Sequence, residues 1–125
     1  MAVLEVGAEH RFTRIVTADM TPRHLLPTVV LSTPKMIALM EQASLDLVQP
    51  MLDDGQTSVG THVNVSHQAA AREGEEVLFQ SRLAAVEGRR LLFEVSAAVG
   101  DRLIGKGTHE RFVVDRSRFH PKPPV

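Results

Sequence analysis

The spacing of hydrophobic and polar positions changes period along the chain. Between Thr33 and Gln49 it is helical. At 100° per residue, Met36, Met40, Ala43 and Leu47 form one stripe, flanked by Ile37, Ser44 and Val48. Thr33-Pro34 suits a helix start, with Thr33 as N-cap and Pro34 at the first helical position. Pro50 stops the helix near Gln49. Elsewhere the period is two. A short strand is predicted over His10–Val16, ahead of the helix. After the helix, Thr57–His67 alternates: Val59, Thr61, Val63, Val65 and His67 point one way, and Ser58, Gly60, His62, Asn64 and Ser66 the other. Val77–Val86, Leu91–Val99 and Leu103–Asp115 read as further strands. They are separated by turn signals at Arg72-Glu73-Gly74-Glu75, Glu87-Gly88-Arg89 and Gly100-Asp101-Arg102.

Tight turns between consecutive strands imply antiparallel neighbours. Strands of about 10 residues run ~33 Å, long enough to wrap a helix of ~22 Å. The expected fold class is therefore α+β, a long antiparallel sheet with one helix on one face. Residues 1–125 read as a single domain, with 1–8 as a loose lead-in and the Pro-rich 116–125 as a flexible tail. One helix leaves sheet edges open, and pairing with a second copy protects an edge, so a homodimer is expected.

Composition narrows the function by exclusion. The chain has 125 residues, 43% hydrophobic and 23% charged, and no cysteine. Disulfide scaffolds, zinc–thiolate sites, iron–sulfur centres and cysteine nucleophiles are excluded. A net charge of −1, no Trp and no Tyr argue against a nucleic-acid partner. No run approaches the ~20 apolar residues that span a bilayer, and the first residues do not read as a signal peptide, so no membrane partner and a cytoplasmic location are expected.

Several residues are candidates for chemistry, each with a plainer role beside it. Glu41 lies at the border of the helix's apolar stripe, where a flank carboxylate ordinarily reaches water. Thr33 caps the helix end whose free N–H groups favour developing negative charge. His67 closes one face of a strand, and imidazole exchanges protons near neutral pH. His62 and His67 point to opposite faces, and the other histidines show no ligand spacing, so no metal site is expected. Gly60 inside a strand marks a bulge or a close approach by a ligand. Gly105-Lys106-Gly107-Thr108 matches no phosphate loop, and no Gly-x-Ser-x-Gly elbow is present.

Taken together, Thr33, Leu39-Met40-Glu41, Ser58-Val59-Gly60-Thr61 and Val65-Ser66-His67 resemble the hot-dog-fold thioesterases, most closely the fluoroacetyl-CoA thioesterase type. Arg23-His24-Leu25, the run from Val86 to Leu91, and Gly107-Thr108-His109-Glu110-Arg111 extend the resemblance over nearly the whole chain. It implies a hot-dog subunit with its active site at a dimer interface, where an acyl-CoA is hydrolysed to CoA and a free acid. Thr33, Glu41 and His67 match the family's catalytic residues. Gly60 matches the glycine near the thioester carbonyl, and Arg111 the arginine near the substrate. No cofactor is implied beyond the CoA carried by the substrate. The family's phenylalanine-bearing lid has no counterpart between His24 and Thr33, which points to a different or broader small acyl group. A binder of acyl-CoA that does not hydrolyse it, and an enzyme such as a hydratase acting on the acyl chain, stay open beside the thioesterase. So does the further pairing of dimers into tetramers.

Overall fold

The computed structural model describes residues 3–21 and 27–119. The elements run β1 (Glu9–Ile15), α1 (Thr33–Val48), β2 (Gln56–His67), β3 (Glu76–Glu87), β4 (Arg90–Val99) and β5 (Arg102–Asp115). The five strands form one sheet in the order β1-β3-β4-β5-β2, antiparallel throughout. This is the expected α+β hot-dog architecture. Arg23-His24-Leu25 and the end of the tail lie outside the described residues.

The helix stripe reads as expected. Met36, Met40, Ala43, Ser44, Leu47 and Val48 are buried, joined by Leu39. They pack on the sheet's inner face against Val77, Phe79, Leu83, Leu91, Phe93, Val95 and Ala97. Each strand offers alternate residues to this core, as the period of two requires. The buried Ser44 and Ser81 share a 2.8 Å hydrogen bond between helix and sheet, which satisfies both hydroxyls. Gly105 lets the helix start settle on β5. A Cβ there would stand 2.6 Å from the Met36 sulfur.

Within the N-terminal lead-in, Leu4, Gly7 and Ala8 dock on the fold. Leu83 exchanges hydrogen bonds with Gly7 and Ala8, and Leu4 packs against the core. At the other end, Arg116 N–H donates to the Gly55 carbonyl at 2.8 Å.

Two local expectations are corrected. First, the N-cap is Ser32, not Thr33: the Ser32 hydroxyl accepts from the Lys35 N–H at 3.2 Å. Thr33 is the first helical residue, and its hydroxyl is released from capping. Ser32→Ala should lower stability by about 1 kcal/mol. Thermal unfolding checks this, and an unchanged midpoint would deny Ser32 the capping role.

Second, the alternation in β2 breaks. The pairing with β5 shifts between Gly60 and His62, with Thr61 as the extra residue of a bulge. Ser58 and Gly60 therefore face the helix together with Val63, Val65 and His67, instead of opposite them. A strict two-residue count cannot anticipate this, because one inserted residue inverts every later side chain.

Candidate active site

The predicted residues fall into two clusters along one face of α1. At the first turn, Thr33 Oγ1 lies 2.7 Å from His67 Nδ1. The helix brings the hydroxyl and the end of β2 brings the imidazole. Because Ser32 takes the cap, the Thr33 hydroxyl is left for this contact. A groove of about 310 Å³ opens beside the pair, lined by Val30, Leu31, His67, Gln68, Ala69 and Ala70.

Two turns further along, Glu41 reaches the sheet at Gly60. A Cβ built on Gly60 would sit 3.1 Å from Glu41 Oε2, 3.2 Å from His109 Cε1 and 3.5 Å from Arg111 Nη1. The missing side chain is what lets these three groups converge. Arg111 is buried, and its Nη1 is 4.0 Å from Glu41 Oε2. Burial lowers its pKa from the usual arginine value, and the Glu41 carboxylate opposes that shift. Glu41 itself remains partly open, with 39% of its side chain accessible. That is the partly open position expected of a flank carboxylate at the border of the stripe.

Eight residues separate Thr33 from Glu41, a rise of about 12 Å along a helix. Within one chain, then, Thr33 and His67 meet, Glu41, Gly60 and Arg111 meet, and the two groups stay apart. Gly60→Ala should push the Glu41 carboxylate aside by a few tenths of an ångström and cut turnover by about tenfold or more with little loss of stability. Activity and thermal unfolding of the variant check this; wild-type turnover in Gly60→Ala would show that the cleft tolerates the methyl.

Sequence reasoning missed Ser58 and His109. Ser58 holds Arg111 through its hydroxyl, at 2.7 Å from Nε, and its carbonyl, at 2.8 Å from Nη2. His109 is 3.2 Å from Arg111 Nη1. The available signal was their placement: His109 and Arg111 are two apart on β5, so they share a face.

The family model described as "Fluoroacetyl-CoA-specific thioesterase" matches residues 13–117. The chain belongs to that family. A fluoroacetyl-CoA thioesterase from Streptantibioticus cattleyicolor is 38% identical over 127 residues, covering 95% of this chain and 91% of the relative. A variant of the fluoroacetyl-CoA-specific thioesterase, solved with fluoroacetate and CoA, superposes with a TM-score of 0.85. It is 38% identical and covers 94% of this chain and 100% of its own. A Thermus thermophilus protein of the thioesterase superfamily gives a TM-score of 0.87 at 30% identity, over 95% of this chain and 90% of its own. This member of the fluoroacetyl-CoA thioesterase family is thus an enzyme of the thioesterase class. Among the described residues, no helix is long and apolar enough to cross a membrane.

Proposed function

We propose that the protein hydrolyses a small acyl-CoA to CoA and the free acid, with Thr33, Glu41 and His67 as catalytic residues in a site shared by two subunits. The observation that carries this reading is the pair of half-sites on a single chain, both lying along β2. Among the described residues that strand is an edge of the sheet, with one side unpaired. A two-fold antiparallel pairing of β2 with its copy, centred between Val63 and Asn64, sets Gly60 of one subunit opposite His67 of the other. The Glu41 cluster of each subunit then faces the Thr33–His67 pair of its partner. The same pairing protects the open edge.

Thioester hydrolysis needs an attacking oxygen, a stabiliser for the developing oxyanion and a proton for the leaving thiolate. The chain has no cysteine, so the attacking atom is oxygen. Glu41 supplies it directly, through an acyl-enzyme anhydride, or draws a proton from an attacking water. The new C–O bond forms and the C–S bond breaks. His67, its Nδ1–H held by the Thr33 hydroxyl oxygen, presents Nε2 to the sulfur. As the doubly protonated ring it gives the leaving thiolate a proton and becomes neutral. The water consumed in the hydrolysis, which also cleaves the anhydride where one forms, returns that proton. Gly60 leaves room for the thioester carbonyl, and Arg111 supplies positive charge where negative charge develops.

The chain between Pro27 and Ser32 is short and tied to the fold. Val30 bridges to Arg72, and Leu31 N–H donates to the Ala71 carbonyl at 2.8 Å. Nothing in this stretch carries the phenylalanines of the family's lid, so the acyl group is not restricted to the fluorinated one. Thiol release measured over acetyl-, fluoroacetyl- and longer acyl-CoAs tests this. Comparable turnover of acetyl- and fluoroacetyl-CoA is expected, and strong preference for the fluorinated substrate would reject the relaxed specificity. Binding without CoA release would identify a carrier, and an altered acyl chain with no free thiol would identify a hydratase.

A further inference from the structure

Arg111 is a buried cation, and how it is held decides what it can do. A guanidinium has five N–H donors in a fixed fork. Nε donates to the Ser58 hydroxyl and Nη2 to the Ser58 carbonyl, so Ser58 fixes one edge. The other edge meets a histidine instead of a carboxylate: Nη1 lies 3.2 Å from His109 Nε2. Since arginine only donates, Nε2 must be the bare, accepting nitrogen. The other ring nitrogen agrees, because Nδ1 lies 2.8 Å from the His62 carbonyl and must donate to it. The two contacts together define a neutral ring with its proton on Nδ1.

The ring itself has little freedom. His109 is 1% exposed. Phe93 from β4 stacks on it with centroids 6.0 Å apart. His62 belongs to the β2 bulge that turns Gly60 toward the helix. The charged groups around the ring are Glu41 from α1 and Glu110 and Arg111 from β5. Burial, aided by Arg111, lowers the pKa of His109 and favours the neutral form.

We propose that His109 is a positioning residue: its neutral ring ties the Arg111 guanidinium to the Gly60–His62 bulge and so fixes the cation beside Glu41 and the thioester carbonyl. Three of the five donors are then committed. One N–H on Nη1 and one on Nη2 stay free for the carboxylate or the substrate. The inference rests on the reading of Arg111 as a substrate-side residue.

Two substitutions separate the ring's two bonds. His109→Asn keeps a donor for the His62 carbonyl but removes the acceptor facing Arg111. His109→Gln reaches Arg111 with its amide oxygen. The Asn variant should lose about 10- to 100-fold in kcat/KM, as for a misplaced catalytic group, and the Gln variant should recover most of it. Their unfolding midpoints should lie close together. Adding His109→Asn to Arg111→Met should cost nothing further. An Asn variant as active as wild type beside an impaired Arg111→Met overturns the proposal, as does the same loss repeated in the Arg111→Met background. Wild-type kinetics in Arg111→Met would be a different failure, removing the role of Arg111 and, with it, the need to position it. An independent measurement needs no variant: the ¹⁵N NMR signals of His109 should show the neutral Nδ1–H form near neutral pH. An Nε2–H tautomer or an imidazolium there would overturn the assignment.

Discussion

Glu41→Ala is expected to lower CoA release at least ~100-fold, within the 10²–10⁴ that general acid–base groups contribute. His67→Ala should fall by a similar factor. The Glu41 carboxylate sits at Gly60, where the strand carries no side chain, and faces the buried guanidinium of Arg111. An oxygen held there is aimed at whatever carbonyl enters the gap. Glu41→Gln keeps the shape and removes the charge, so it should be nearly as inactive as the alanine variant. The loss should appear in kcat more than in KM, because neither a nucleophile nor a base is needed to bind the CoA portion. Steady-state kinetics with the best acyl-CoA measures both constants. Full activity in both Glu41→Ala and His67→Ala would remove the catalytic assignment.

Mixing two inactive variants should restore activity. If each site draws Glu41 from one subunit and His67 from the other, a hybrid of Glu41→Gln with His67→Ala contains one intact site and one doubly impaired site. Random reassortment makes half of the dimers hybrids, so about a quarter of wild-type activity should return from a background near zero. Sites built within single chains give no recovery, since every chain is then defective. The experiment requires the subunits to be exchanged, for example by refolding together, and the thiol-release rate read before and after. No recovery after demonstrated exchange would place the whole site within one chain. The prediction follows from a length: about 12 Å of helix separates Thr33 from Glu41, too far for one substrate carbonyl to touch both.

Much of this was legible in the residues, and the exceptions have identifiable causes. The helix from Thr33 to Val48 was readable because its apolar stripe repeats at helical spacing and Pro50 follows it. The long strands were readable because glycine-bearing turns punctuate them. Gly88 and Gly100 have φ of 63° and 54°, in the left-handed region that favours glycine. The cap was misplaced by one residue because Ser32 and Thr33 are both good caps, and only the Lys35 contact distinguishes them. Gly60 was noticed as an interruption in a strand. Its effect on the facing of His67 was not, because a bulge is a property of the pairing with β5 and leaves no fixed mark on one strand's sequence. His109 was passed over among scattered histidines. Its importance comes from contacts with His62 and Arg111, of which His62 is distant in the chain.

By itself the sequence determined the periods, the punctuation and the chemical inventory: one helix, five strands, and side chains that include no cysteine. These are local, because backbone preference and amphipathic spacing act over a few residues. The tertiary structure decided which groups meet. It released Thr33 to His67, turned Gly60 inward at the bulge, set Arg111 between Ser58 and His109, and kept the Thr33–His67 pair apart from the Glu41, Gly60 and Arg111 cluster along β2. Those outcomes depend on strand register and on the packing of helix against sheet, where a shift of one residue reverses which side chains face each other.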